Sequence, residues 1–161
     1  MAKNDIDSAI ELRLPLPLLV FQLHSLLNAQ ARALISKRGD LSLAQWRVLR
    51  LISLDVAHTS TALRKLMGID KSQFSKEISQ LIADGYITSA PYEADRRQQL
   101  LAMTDKGRAA YARIAPALDA RQAHLMGALT DSQCDVMFEA IKALAEAAQR
   151  LDFDTDEEDN A

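Results

Sequence analysis

From Leu18 to Ile35 apolar residues return at helical spacing, with Leu19, Leu23, Leu26, Leu27 and Leu34 forming one stripe, until Gly39 and Asp40 interrupt it. Ser42 is a capping residue type and opens a second helix that carries Trp46, Val48, Leu49 and Ile52. Thr59 or Ser60 opens a third, short helix, TALRKLM, which Gly68 stops. Asp70 then caps a fourth helix from Lys71 to Asp84, with Gln73 three residues on in a variant of the capping box, and Gly85 ends it. After Gly85 the period changes. YITSAPY and QQLLAM are short β-compatible runs separated by EADRR, which predicts a hairpin whose first strand Pro91 confines to a sheet edge. Thr104 and Asp105 start a long helix reaching about Met126, with a kink expected at Pro116, and Gly127 breaks it. Thr130, with Gln133 three residues later, caps a last helix to about Leu151. The expected fold is mainly α with a small β-hairpin.

The fourth helix has an unusual outer face. On a helical wheel Phe74, Ile78 and Leu81 form its apolar stripe, with Ile82 at the edge. Opposite lie Ser72, Lys76, Ser79 and Ala83, flanked by Gln73 and Gln80, while Glu77 sits nearer the apolar side and Asp84 at the far end. A polar helix face is more often plain solvated surface. Here the neighbours change the reading: a short helix, a tight turn at Gly68 and this helix make a helix-turn-helix, whose second helix enters the major groove of DNA. The hairpin that follows presents Asp95, Arg96 and Arg97, two guanidinium groups suited to phosphates or to a narrow minor groove, with an acid placed to brace one of them. Together these parts predict a winged helix-turn-helix with double-stranded DNA as partner.

The pieces LSLAQWRVL, GIDKSQFSK, ADGYI and DRRQQLLAMTDKG, with a long helix on either side, resemble the MarR family of bacterial transcription regulators over roughly residues 12–151. The resemblance implies a DNA-binding regulator that works as a homodimer on a palindromic operator, often released by a small molecule or an oxidant. It implies a dimerisation region at 12–40 and 104–151 around a winged helix-turn-helix at 41–103. It puts Ser72, Gln73, Ser75 and Lys76 at the DNA-reading positions, to which the outer face adds Ser79, and Arg96 and Arg97 on the wing beside Asp95. Two residues depart from the family pattern. Phe74 stands where a smaller apolar residue is common, and Gln73 is equally suited to capping its own helix.

Composition narrows the remaining classes. At 161 residues and 48% hydrophobic, one core is the expectation. The single Cys134 excludes an intramolecular disulfide framework, and with no nearby cation to activate it the thiol reads as inert. There is no CxxC or Cys/His cluster, so neither metal nor cofactor is expected. LPLPLLVF, Leu14 to Phe21, is too short for a membrane span, and the acidic MAKNDIDSAIE before it argues against a signal peptide, so a cytoplasmic protein is expected. The net charge of −3 hides an asymmetry: residues 152–161 hold six acids and no base, and without them 16 acids face 19 lysines and arginines. That segment reads as a disordered solubilising tail on a basic body. No nucleotide-binding, zinc-protease or nucleophile-elbow motif is present, which argues against an enzyme.

An effector pocket, if one exists, draws its polar groups from His24, Arg47 and Arg50 with Trp46 beside them, and an aromatic carboxylate is the natural ligand. Each has a plainer reading: Trp46 as core, Arg47 and Arg50 as a solvated edge, His24 and His124 as partly buried histidines, His58 as surface. A non-enzymatic rival for the whole chain is a winged helix that binds proteins without specific DNA recognition.

Overall fold

The computed structural model describes Ile10 and residues 12–152. Six helices and one hairpin follow in order among these residues: α1 (Leu16–Ser36), α2 (Leu43–Ser53), α3 (Ser60–Met67), α4 (Lys71–Ala83), β1 (Ile87–Tyr92), β2 (Asp95–Met103), α5 (Asp105–Met126) and α6 (Asp131–Ala147). The fold is the mainly helical winged helix-turn-helix that the periodicity predicts. Of the acidic segment expected from Asp152, all but Asp152 itself lies outside the described residues.

Local chemistry sets most boundaries. α1 begins two residues earlier than its stripe suggests, because Pro15 and Pro17 occupy the first turn, where a missing N–H costs no helix bond. Full capping boxes form at Ser42/Gln45 and at Thr130/Gln133. At α4 the Asp70 carboxylate accepts from Gln73 N at 2.9 Å, and the reciprocal side-chain bond is not made, so the Gln73 amide is not spent on the cap. α3 ends on Gly68 at φ +63°, a conformation that costs glycine little, which makes the tight turn into α4. α5 continues through Pro116 as one helix. α6 stops at Ala147, short of the expected Leu151. Gln149 and Arg150 bond to Glu146 O and Ala147 O in tightened turns, and Leu151, 92% exposed, has no packing to hold a further helical turn.

The hairpin corrects the expected turn. EADRR does not form a five-residue loop: only Glu93 and Ala94 turn, and Asp95, Arg96 and Arg97 belong to β2. The antiparallel register runs evenly from Ile87↔Met103 to Pro91↔Gln99 and then jumps to Tyr92↔Asp95. That jump leaves Arg96, Arg97 and Gln98 bulged from the ladder, opposite Pro91, which has no N–H to contribute there. β2 is held on its other edge as well: Leu101 N donates to His58 O at 2.8 Å, and Gln99 N to Ser60 Oγ at 3.3 Å.

The described residues fall into two compact units that divide between Leu118 and Asp119. The first holds the buried core: Ile35 of α1, Val48 and Leu49 of α2, Leu63 of α3, Leu81 of α4, Ile87, Leu101 and Ile114. Each fully buried aliphatic side chain contributes about 1.5–3 kcal/mol, far more than an exposed polar contact, so packing fixes how α3, α4 and the hairpin are oriented. The second contains the end of α5 and all of α6, and no residue of α6 is buried.

Candidate nucleic-acid interface

α4 buries Phe74 and Leu81 and half-buries Ile78, so Ser72, Gln73, Ser75, Lys76 and Ser79 are all exposed on its other side. Two contacts mount it on its neighbours, and a third lies at its own end. Ser42 Oγ, at the N-cap of α2, accepts from Gln45 N and donates to Glu77 Oε2 at 3.2 Å, which turns the one carboxylate within α4 away from the exposed face. Lys106 Nζ donates to Asp84 O at 2.6 Å and lies 4.6 Å from the centre of the Tyr86 ring, placing a cation at the C-terminal end of the helix dipole. Gln80 turns its amide to the Asp84 carboxylate, 3.0 Å from each oxygen, and so is engaged at the end of its own helix.

Between α3, α4 and the hairpin runs an open cleft of about 480 Å³. Its rim carries Arg64, Lys71 and Arg97 with Ser75, Ser79, Ser89 and Gln99, over a floor that includes Phe74, Ile78 and Leu101. Arg64 and Lys71 escaped the sequence reading. Arg64 stands three residues after Thr61, another rim residue, on the polar side of α3, a spacing that could have flagged it. Arg96 and Arg97 are both exposed, Arg97 on the cleft and Arg96 at the wing tip beside Pro91 and Glu93. Asp95 does not brace a guanidinium. Its Oδ1 accepts from Arg97 N and its Oδ2 from the Gln98 amide, both at 3.0 Å, because the bulge turns these donors inward over the carboxylate. The Gln98 side chain and then the Arg97 N–H hold this carboxyl below the ordinary aspartate range.

Residues 39–98, which run from the turn before α2 into the wing, match the model of the MarR family. A comparison with curated protein sequences gives no match. Among solved structures, a MarR/EmrR family transcriptional regulator from Acinetobacter sp. ADP1 is 17% identical, with a TM-score of 0.74 over 92% of this chain and 100% of that one. The M. tuberculosis regulator MOSR, solved in complex with DNA, is 23% identical, with a TM-score of 0.67 over 85% of this chain and 99% of that one. BpsR of Bordetella bronchiseptica, whose DNA binding is regulated by 6-hydroxynicotinic acid, is 21% identical, with a TM-score of 0.59 over 78% and 98%.

α2 also borders a second cleft, of about 310 Å³, lined by His24, Trp46, Arg47, Arg50, Leu51, Leu66 and Met67. The four residues singled out in the sequence therefore share one cavity. Trp46 is buried and stacks on Tyr111, ring centres 5.1 Å apart and 6° from parallel. Arg50 Nη1 donates to the Tyr111 hydroxyl at 2.5 Å, and Arg47 Nη2 to Asn28 Oδ1 at 2.7 Å. His24 and His124 are exposed rather than partly buried, and His58 is half-exposed with Asp55 Oδ1 2.5 Å from its Nε2. Cys134 is half-exposed on α6. Among the described residues no group of three or more His, Cys, Asp or Glu converges as a metal site, and no helix is long and apolar enough to cross a membrane.

Proposed function

We propose that this chain is a sequence-specific DNA-binding transcription regulator, a repressor that acts in the cytoplasm as a homodimer on a palindromic operator. The observation that carries the reading is the exposed face of α4, where Ser72, Gln73, Ser75, Lys76 and Ser79 offer hydrogen-bonding groups and one cation beside Arg97 of the wing. Such side chains read base edges and hold phosphates, and the bulged Arg96 and Arg97 suit the flanking backbone or minor groove. Two reading helices must meet successive major grooves about 34 Å apart, so a dimer fixes the operator's symmetry. Dimerisation is assigned to 12–40 and 104–151, where α1 exposes Phe21 and Leu23 and α6 exposes Val136, Phe138 and Ile141.

We assign the cleft at His24, Trp46, Arg47 and Arg50 to a small aromatic acid. Its arginines pair with a carboxylate while Trp46 and Leu51 border the ring. Ligand-controlled DNA binding in BpsR supports the assignment. A tenfold to hundredfold loss of operator affinity requires about 1.4–2.8 kcal/mol of differential binding, within reach of one charged pair.

Footprinting and gel shifts on DNA flanking the gene, over a range of salt, test the proposal. Protection of a palindrome is expected, and Arg96→Ala with Arg97→Ala should flatten the slope of log K against log salt by about one unit per lost phosphate contact. Weak binding without sequence preference, erased by salt, would instead indicate a protein-interaction module.

A further inference from the structure

We propose that Asn28 sets the hydrogen-bonding polarity of the effector cleft, making every side-chain nitrogen that the described residues bring to it a donor; the functional consequence rests on the effector reading above. Asn28 lies on α1 one turn after His24 and is half-buried. Its Oδ1 is 2.7 Å from Arg47 Nη2, and its Nδ2 is 2.7 Å from His24 Nε2. A guanidinium has no acceptor, so the amide oxygen must face Arg47. The amide NH2 then faces His24, and Nε2 must meet it with a lone pair. A neutral His24 therefore carries its proton on Nδ1, the opposite of the Nε2–H form that a free imidazole side chain favours in water.

The choice of tautomer decides what the cleft can recognise. Arg47 and Arg50 donate only, the Trp46 indole donates only, and His24 is left with Nδ1–H. Among the described residues, the rest of the lining, Leu51, Leu66 and Met67, carries no carboxylate or amide. Were His24 the Nε2–H tautomer, Nδ1 would add an acceptor and the cleft would accept a ligand N–H as well. With Asn28 in place the cleft suits an anion rich in acceptors and rejects an amidinium, whose donors would be left unpaired. Asn28 is thus a positioning residue that acts through His24 and Arg47.

The decisive measurement is the tautomer of His24 in the full chain, read from its ring nitrogen shifts with labelled histidine at alkaline pH, His24→Gln supplying the assignment. Wild type should show Nδ1–H. Asn28→Ala, and Asn28→Asp, whose carboxylate can only accept, should both move the proton to Nε2. An Nε2–H ring in wild type, or a tautomer unmoved in both variants, overturns the proposal. For ligand selection, benzoate and benzamidinium are titrated against the fluorescence of Trp46, the one tryptophan in the chain. Benzoate alone should bind, and Asn28→Asp should weaken it about tenfold or more. An unchanged preference in Asn28→Asp also overturns the role given to Asn28. Failure of benzoate to bind wild type, with Nδ1–H observed, sinks the effector reading while the Asn28 assignment stands.

Discussion

Asp95 shows how much a single side chain can depend on its neighbours' backbone. From sequence it is an acid beside two arginines, and pairing with a guanidinium is the natural expectation. The bulge opposite Pro91 brings Arg97 N and the Gln98 amide to it first, and both guanidinium groups stay on the exposed wing. Those two hydrogen bonds stabilise the ionised form, so the Asp95 pKa is lowered. A lowered folded-state pKa means the brace is fully present above the ordinary aspartate value, about 3.9, and is lost as pH falls through the depressed one. The Gln98 side-chain amide resonances should therefore titrate with a midpoint below that ordinary value, and the titration should vanish in Asp95→Asn. A midpoint at or above it would show that the wing is not braced this way.

At the scale of elements, α4 is held at three points along its length: at its start by the Asp70 cap, in its middle by Ser42 on Glu77, at its end by Lys106 on Asp84 O. The third point depends on how closely α5 begins beside the end of α4. Thr104 Oγ1 donates to Gly85 O at 2.6 Å and accepts from Gly107 N at 3.0 Å, capping α5 against that turn. A Cβ built on Gly107 would stand 2.1 Å from Tyr86 O, which is backbone and cannot step aside. Helix propensity alone favours Gly107→Ala by about 1 kcal/mol. The clash should reverse the sign, costing about 1–3 kcal/mol as overpacking and loosening the seat of Lys106. Thermal denaturation of the variant decides between them: an unchanged or raised Tm would mean that the approach of α5 to Tyr86 relaxes freely.

For the whole molecule the apolar surface is the controlling quantity. Phe21 is 65% exposed on α1, and Val136, Phe138 and Ile141 are each more than half exposed on α6. That much exposed apolar surface supports the proposed homodimer, in which a second copy related by a two-fold axis would cover like surfaces with like. Sedimentation at micromolar concentration should show no substantial monomer, and Phe21→Glu with Ile141→Glu should produce one. A folded wild-type monomer would remove the dimer and the palindromic operator with it.

Periodicity, capping residues and glycine stops placed the helices within a few residues, because those signals act through neighbours three or four positions apart. The exposed polar face of α4 was legible for the same reason: once Phe74, Ile78 and Leu81 point inward, helix geometry dictates what points out. What chain order could not supply was every contact between distant segments. The two-residue turn and three-residue bulge of the wing depend on cross-strand register, the addition of Arg64 and Lys71 to the cleft rim on how α3 and α4 meet the hairpin, and the tie from Ser42 to Glu77 spans 35 positions. Asn28 was passed over because nothing near it in sequence marks it. Its role exists only because packing sets α1 against α2, placing one amide between an imidazole four residues away and a guanidinium nineteen residues away.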